Sequence, residues 1–528
     1  MTEKHFLKNI KELSIIIIIC LYANFINQLS GNIGVLPIDS FGFYDTGYSI
    51  LKGKLPIRDF WIFTGILVDY LEALFFLIFG NNWSAHIFHA SFINILASLS
   101  FYYFLRKINL KLIYATFYTL CFATLCYPVS GTPFAYLHAY VFSLISLLVC
   151  YFAIKKENNH YWFILPIICA FAFLSMQSPT GYIVLFIIFL SSYYFFKTKN
   201  LKNFISFSTG TIFTISLIII YLLLTGTRFD NFIYQYFLFP LTIGEGRILG
   251  EASAYLSLKD QLNFKRIFGD FKFIQIFLIP LIIITAYKVV KKENNKKLLN
   301  VIFISASILF IYNQLLTANQ IYIFSLIPVL AAILHLNMEK LQYSKFIIFL
   351  IITTTLFATI KFHHRYNIER KFHDLENINK SVALDASLIH KSLTGLKWIS
   401  YKYPDPSEEV KILKTAIKTI KEDNRKKMLI THYHFISSAI EEDLNILNRW
   451  YLWDNNTHPT RNHKYFNIYK SMVNEKIQKE KIEVVYLLGT NIKFKRFKES
   501  FGDIICFKNH KLVNKSFSNY EIVSCKGK

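Results

Sequence analysis

Residues 211–224 read Thr-Ile-Phe-Thr-Ile-Ser-Leu-Ile-Ile-Ile-Tyr-Leu-Leu-Leu, inside an uncharged apolar stretch that runs from 204 to 225. A helix needs about 20 mostly apolar residues to cross a bilayer. Similar segments recur before residue 363, at roughly 13–29, 61–80, 84–104, 111–127, 134–153, 161–176, 180–196, 273–290, 298–315, 320–336 and 346–361. The pattern predicts a polytopic α-helical membrane protein.

The composition supports this prediction for one part of the chain only. Of 528 residues, 53% are apolar and 17% aromatic, which excludes a disordered chain. Residues 363–528 lack long apolar runs and alternate short apolar strands (near 428–431 and 484–488) with amphipathic helical stretches. We therefore expect two domains: a transmembrane domain over 1–362, with long loops at 30–83 and 226–272, and a small α/β domain over 363–528.

The formal net charge is +24, a balance that often indicates nucleic-acid binding. No groove-reading motif accompanies it, so no nucleic-acid partner is expected. Lysine and arginine are also enriched in the cytoplasmic loops of membrane proteins, and basic segments meet the head groups of membrane lipids. The charge is therefore assigned to membrane topology.

The positions of the basic loops predict how many segments cross. If segment 61–80 stays at the outer face, the lysine clusters at 155–156, 197–202, 288–297 and 340–345 share one side with the basic N-terminus. The short loops 128–133, 177–179 and 316–319 carry no lysine or arginine and fall on the other side. This pattern predicts eleven crossings, a cytoplasmic N-terminus and an extracytoplasmic C-terminal domain.

Segment 61–80 has its own reason to stay out of the bilayer centre. Asp69 and Glu72 are three residues apart and share a helical face. Each carboxylate is costly at the bilayer centre. We expect an interfacial helix that keeps both side chains in contact with water; a true crossing with both acids facing the bundle interior is the alternative.

The first long loop concentrates residues that could do chemistry. It reads Pro37-Ile-Asp-Ser-Phe-Gly-Phe-Tyr-Asp45-Thr-Gly-Tyr-Ser-Ile-Leu-Lys-Gly53-Lys-Leu-Pro-Ile-Arg58-Asp59-Phe-Trp61. Its three carboxylates, Asp39, Asp45 and Asp59, lie in one loop beside a membrane helix. Such a carboxylate can act as a general base toward a hydroxyl or bind a cation, although aspartate in loops also serves as a turn former or helix cap.

This loop resembles the first outer loop of the GT-C glycosyltransferases, in particular the bacterial dolichyl-phosphate-mannose protein mannosyltransferase-like family that includes the lipid A aminoarabinose transferase. The likeness lies in an acidic residue soon after the first span, the Ile-Leu-Lys-Gly element ending at Gly53, and the Arg58-Asp59 pair. Many relatives have Asp-Glu at the first position, where this chain has Asp39-Ser40. Any second carboxylate is therefore expected from Asp45 or Asp59.

The resemblance implies an enzyme that moves a sugar from a polyprenyl-phosphate donor to a glycan, lipid or protein acceptor at the outer face. Asp39 would then be the catalytic base, with Asp59 as a second catalytic residue that orients Arg58, binds the acceptor or holds a divalent ion. Arg58 and Asp45 would contact substrate. The expected location is a bacterial inner membrane, and no cofactor other than a divalent metal ion is implied.

Further candidates lie outside this loop. Arg247, in a glycine-flanked aromatic stretch, suits a lipid phosphate or else an interfacial aromatic belt. Three histidines near outer helix ends, His86, His89 and His138, could bind metal or phosphate, and His138 is the candidate for substrate contact. The motif Thr431-His-Tyr-His434 is expected to form an exposed turn.

Two alternatives to the enzyme remain at this stage. A transporter or flippase of lipid-linked glycans would need ionisable groups at membrane depth, and none lies in the middle of the eleven predicted spans. A non-catalytic envelope assembly protein, with the tail as its binding module, is the other. Separately, Cys506 and Cys525 flank two strand-like stretches, and a hairpin between these would allow a disulfide in the oxidising outer compartment.

Overall fold

The computed structural model describes residues 3–127, 129–250, 258–293, 296–317, 322–339, 343–489 and 492–523. Its first part is a bundle of antiparallel helices with shorter helices between them. In chain order these helices are α1 (Glu3–Gly31), α2 (Pro37–Ser40), α3 (Tyr44–Leu51), α4 (Leu67–Phe79), α5 (Trp83–Lys107), α6 (Leu112–Cys126), α7 (Ala135–Lys156), α8 (Asn159–Ser175), α9 (Gln177–Thr198), α10 (Leu201–Thr225), α11 (Phe229–Ile233), α12 (Phe239–Leu249), α13 (Leu258–Gln261), α14 (Lys272–Val290), α15 (Lys297–Leu316), α16 (Leu326–Met338) and α17 (Ser344–His363).

Eight of these helices are long and apolar enough to cross a membrane: α1, α5, α7, α9, α10, α14, α15 and α17. Three shorter apolar helices, α6, α8 and α16, pack among them. Large apolar side chains on the bundle surface stay exposed, including Phe196 (86%), Leu223 (75%) and Leu224 (83%). Exposed apolar surface of this extent suits contact with lipid. The architecture is that of a polytopic helical protein.

The two ends of the bundle differ. At one end, called the capped end here, Gly31 of α1 meets Ile87 of α5, and the first long loop and the C-terminal region lie over them. At the opposite end, Arg106 of α5 donates to Glu12 of α1 at 2.7 Å. The lysines that follow α5, α7, α9 and α14 lie at this opposite end.

The C-terminal region is a small α/β layer structure, in agreement with the predicted strands and helices. Its elements are β1 (Leu384–Asp385), β2 (Lys397–Trp398), α18 (Pro406–Glu422), β3 (Lys427–Thr431), α19 (Ile436–Ile440), α20 (Phe466–Lys479), β4 (Val484–Leu488), α21 (Phe494–Phe501), β5 (Cys506–Asn514) and β6 (Phe517–Val523). Four strands form a sheet in the order β3-β4-β6-β5, in which only the β3–β4 pair is parallel.

Both faces of β3 and β4 are buried because their alternate side chains point to different cores. Leu429 and Tyr486 pack with Phe41, Tyr44 and other residues of the first long loop. On the other face, side chains of β3 and β4 join α20, α21 and Trp61 in a second cluster. The C-terminal region therefore shares its cores with the first long loop.

Backbone pairing strengthens this attachment. Lys397 of β2 donates its N–H to the Asn32 carbonyl at 2.8 Å, and Gly34 donates to the Lys397 carbonyl at 3.0 Å. Val35 and Trp61 make similar bonds to Ile399 (2.9 Å) and Leu447 (2.8 Å). The first long loop thus extends the β1–β2 pair, which fixes its position over the bundle.

The predicted hairpin at the end of the chain is present as β5 and β6, with Cys506 opposite Val523. Cys506 is held in a disulfide. Its predicted partner, Cys525, lies outside the described residues, so the Cys506–Cys525 pairing stays a prediction.

Candidate functional site

Asp39 lies on α2, a single helical turn at the capped end. Pro37 occupies its first position, where a missing N–H costs nothing and the fixed φ favours the helix. Leu36 closes the turn, because its N–H donates to Ser40 Oγ at 3.0 Å and its carbonyl accepts from Asp39 N–H at 2.8 Å. The local sequence therefore fixes the backbone position of Asp39.

Trp450 of the C-terminal region covers this turn. Its indole Nε1 donates to the Ile38 carbonyl at 2.6 Å, and its ring meets Phe43 edge-on at 5.6 Å. A Cβ at Gly42 would lie 2.6 Å from that nitrogen, so only glycine allows the approach. The surrounding apolar cluster also contains Phe63, Val68, Ala135 and Met176. Asp39 is thus held between the bundle end and the C-terminal region.

The Asp39 carboxyl is half-buried, and no described residue donates a hydrogen bond or forms an ion pair with it. Burial raises its pKa from 3.8 to about 7, and the nearby charge of Asp374 adds to the rise. Asp374 follows α17 and has a left-handed backbone (φ 58°). A carboxyl with a pKa near neutrality is well matched to accepting a proton at physiological pH.

The carboxylate that acts on Asp39 is therefore Asp374, where the sequence led us to expect Asp45 or Asp59. Asp45, on α3, is 1% exposed and its Oδ2 lies 3.6 Å from His434 Nδ1. Neither side chain makes a hydrogen bond to another described residue. His434 is buried with His432, so the expected exposed turn at Thr431–His434 is wrong. The cause is the docking of α3 against α19, which covers this segment.

Arg58 and Asp59 form an ion pair within their own turn. Arg58 donates to Asp59 Oδ2 at 2.6 Å and to the carbonyls of Gly53 (3.0 Å) and Thr225 (2.9 Å). Partial burial acts to raise the pKa of Asp59, but Arg58 and the Leu55 amide hold it below its ordinary value. The pair ties the turn to the end of α10, and Asp59 stays ionised and engaged.

Asp69 and Glu72 on α4 are both fully buried, so the expectation that water surrounds them is wrong. Asp69 pairs with Arg449, and Glu72 pairs with His86 and His89. The local sequence around α4 does not reveal these partners. Asp69 accepts from Arg449, which is itself fully buried and lies 4.6 Å over the Phe43 ring. Because both charges are out of water, the ion pair compensates a desolvation cost of several kcal/mol per ion.

Glu72 heads a chain of buried side chains that passes through all three histidines. Its Oε1 meets His86 Nδ1 at 2.7 Å and its Oε2 meets His89 Nδ1 at 2.6 Å. His89 Nε2 lies 3.0 Å from His138 Nε2, and His138 Nδ1 lies 2.8 Å from the Tyr127 hydroxyl. Glu72 thus binds His86 and His89, and His89 links it to His138.

The hydrogen-bond partners of His86 determine which of its ring nitrogens carries a proton. The Ser40 carbonyl, 2.9 Å from His86 Nε2, can only accept, so His86 carries a proton there. The contact of His86 Nδ1 with Glu72 then requires one more proton between them. The proton shared by His86 and Glu72 reduces the cost of burying these two side chains. The His86–Ser40 bond fixes the position of Ser40, the residue that follows Asp39.

His138 is 0% exposed, and its ring nitrogens contact the Tyr127 hydroxyl and His89, so its contact with a substrate stays a prediction. Arg247 lies on α12, half-buried, close enough to Tyr182 of α9 for its charge to act on the phenol. Gln177, at the capped end of α9, donates to the Tyr236 carbonyl at 2.8 Å. This bond joins the second long loop to the bundle end beside Asp39.

The structure thus separates residues that the sequence grouped. Asp39, Asp45 and Asp59 make no contact with one another among the described residues, and each has different neighbours. Sequence reasoning missed Asp374, Arg449 and Trp450. The only local signal was an arginine set among aromatic residues at 449–453. Within the described ranges, no group of three or more His, Cys, Asp or Glu side chains has the arrangement of a metal site.

No protein-family model matches this chain, and no curated protein matches it in sequence.

Proposed function

We propose that the protein is a membrane glycosyltransferase of the GT-C type, which moves a sugar from a polyprenyl phosphate to an acceptor hydroxyl. The observation that carries this proposal is Asp39. It is a carboxyl with a pKa of about 7, free of hydrogen-bond partners among the described residues, and placed where the bundle end meets the C-terminal region. A general base needs that combination of availability and pKa.

The proposed topology places this site outside the cytoplasm. The eight long apolar helices and the three shorter ones alternate in direction, which suits eleven crossings with α4 kept at the surface. Lysines after α5, α7 and α9 lie at the end opposite Asp39, where Arg106 meets Glu12. Positive loops favour the cytoplasm, so the capped end faces outward in a bacterial inner membrane.

The proposed reaction is a direct displacement at the anomeric carbon. The acceptor hydroxyl oxygen forms a bond to that carbon while its proton passes to Asp39. The bond from the carbon to the phosphate oxygen breaks, and the oxygen leaves with the electron pair as polyprenyl phosphate. General-base catalysis of this kind supplies about 10²–10⁴-fold, and positioning supplies the rest.

Arg247 is the proposed phosphate ligand. It lies on the second long loop beside α9, where a lipid phosphate could approach from the bilayer, and guanidinium binds phosphate oxygens in pairs. Arg58 donates to Asp59, Gly53 and Thr225, and is proposed to hold the turn that carries it. Asp45 and Asp59 are proposed to shape the loop, since both side chains face partners of their own.

The test is transfer of radiolabelled sugar from polyprenyl-phosphate donors in membranes that contain the protein. Asp39→Asn keeps the shape of the side chain and removes the base, so transfer should fall by about 10²-fold or more. Asp385→Asn is the matched control, because Asp385 is an exposed residue of the C-terminal region. A folded Asp39→Asn protein with normal transfer would overturn the mechanism.

Transport of lipid-linked glycans and envelope assembly are the alternative outcomes of this experiment. A protein that supports neither transfer nor donor hydrolysis, yet changes the side on which the labelled lipid is found, would be a flippase. The enzyme is favoured here because the unpaired carboxyl lies at the bundle end rather than inside it.

A further inference from the structure

Three cavities along the C-terminal region share lining residues and therefore adjoin one another. The first, of about 590 Å³, shares Asp454 and Asn462 with the second, of about 360 Å³. His432 lines both the first cavity and the third, which is about 60 Å³. We call these three adjoining cavities the saccharide groove.

The two ends of the saccharide groove lie at different parts of the candidate site. Its second cavity is walled by α12 residues from Thr242 to Leu249, next to Arg247. Its third cavity is walled by Leu36, Pro37 and Ile38, the three residues that precede Asp39. A molecule lying along the groove would therefore approach the turn that carries the proposed base.

The groove also follows a general rule of α/β folds. His432 comes directly after β3, and Gly489 comes directly after β4, the parallel neighbour of β3. Both residues line the third cavity. Ligands of α/β sheets usually bind at the carboxyl ends of parallel strands, and the saccharide groove passes over this edge.

The walls of the first cavity carry the chemistry of a polyhydroxyl ligand. Trp453 offers an aromatic surface, and Asp454 and Asn462 offer planar hydrogen-bonding groups. The charged residues of its lining balance in number, with Arg461 and Arg496 against Asp454 and Glu499, and Arg461 is also neutralised by an ion pair with Asp503. Without net charge, the cavity favours a hydroxyl-rich neutral molecule over an anion.

Two polar atoms at the groove lack a partner within the described part of the chain: His432 Nε2 and Trp453 Nε1. His432 is only 8% exposed, and burial lowers its pKa to about 3, so the ring is neutral at physiological pH. Both nitrogens are shielded from solvent, so a ligand in the first cavity would meet the partly exposed Trp453 ring and the exposed Asn462 amide rather than these two atoms.

We propose that the saccharide groove binds the acceptor of the transfer reaction, and that this acceptor is an uncharged, hydroxyl-rich glycan. One part of the glycan stacks on Trp453 and hydrogen-bonds to Asn462 and Asp454. Its growing end lies at the Leu36–Ile38 wall, where Asp39 can receive the proton of a hydroxyl. The identification of the glycan as an acceptor rests on the proposed function, whereas its binding does not.

The test is binding of the full-length protein in lipid nanodiscs to an array of defined linear saccharides of one to eight units, neutral and anionic, without any donor. We expect retention of neutral saccharides in preference to anionic ones. Trp453→Ala and Asn462→Ala should each lower affinity by about tenfold, or 1.4 kcal/mol. Asn462 is exposed, so its variant keeps the fold even if Trp453→Ala does not. Lys411→Ala, on the exposed face of α18, is the control and should bind normally.

The outcomes separate this inference from the proposed function. Retention of no saccharide, preference for anionic ones, or equal binding by Asn462→Ala overturns the saccharide groove, even if sugar transfer is intact. Neutral saccharides bound through Trp453 and Asn462, in a protein that transfers no sugar from polyprenyl phosphate, support the groove and overturn the enzyme.

Discussion

Arg449 and Asp69 form an ion pair in which both side chains are fully buried, across 380 residues of sequence. Arg449 belongs to the C-terminal region and Asp69 to α4, so the pair joins the two parts of the molecule beside Asp39. Phe43 and Trp450 cover the guanidinium at 4.6 and 5.3 Å. The pair therefore fixes how the C-terminal region lies on the candidate site.

Loss of one member of this pair should be strongly destabilising. Arg449→Met leaves the Asp69 carboxylate buried without its cation, which costs about 3–5 kcal/mol. Thermal unfolding in detergent measures the change. The double variant Arg449→Met with Asp69→Leu removes both charges and should recover most of the loss. A single variant as stable as the unaltered protein would show that Asp69 is solvated.

Gly65 should tolerate no side chain, because a Cβ there would lie 1.7 Å from the backbone carbonyl oxygen of Leu174. Gly65→Ala therefore has to push α8 away from the first long loop, at a cost of about 1–3 kcal/mol or more. Gly181→Ala is the control, since nothing lies within 4 Å of its Cβ position. Equal unfolding temperatures for the two variants would contradict this packing.

The sequence reveals local features such as apolar helices and strands, but it does not reveal which distant residues pair in the fold. Uncharged apolar runs of about 20 residues report a helix directly, so segments such as 204–225 were placed from the sequence alone. The short apolar runs near 428–431 and 484–488 likewise predicted β3 and β4. Burial of Asp69 could not be seen, because its cost is offset by a partner 380 residues away. The pKa of Asp39 likewise depends on Asp374 and on the covering Trp450 segment.

The direction of the chain through the membrane is open to a direct test. Cysteines placed at Lys107 and at Ser381 should be labelled from opposite sides, Lys107 from the cytoplasm and Ser381 from outside. Lys107 ends α5 at the end of the bundle that carries the lysines, and Ser381 belongs to the segment that follows α17. Labelling with a membrane-impermeant maleimide, on intact cells and on inverted vesicles, measures the side from which each cysteine is accessible. Labelling of both positions from one side would reject eleven crossings.

The pKa of Asp39 predicts how stability depends on pH. The folded protein keeps this proton up to about pH 7, whereas an unfolded aspartate loses it near 3.8. Between those values the folded state binds more protons, so this group's contribution to stability is full below pH 3.8 and is lost as pH rises to about 7. Asp39→Asn should flatten the fall in unfolding temperature over that window. An unchanged slope would mean that Asp39 titrates like a solvated aspartate.

The same pKa predicts the pH dependence of sugar transfer. A general base works only when deprotonated, so transfer should rise with pH along a limb centred near pH 7. Asp374→Asn removes the neighbouring charge that helps to raise the pKa of Asp39. In this variant the rise of the transfer rate should therefore occur at lower pH. The plateau rate should stay the same, because Asp374 itself takes no part in the proposed reaction. Asp385→Asn changes an exposed carboxylate that does not act on the pKa of Asp39, so it should leave the limb in place. A limb that ignores Asp374→Asn would assign the titration to another group and remove Asp39 as the base.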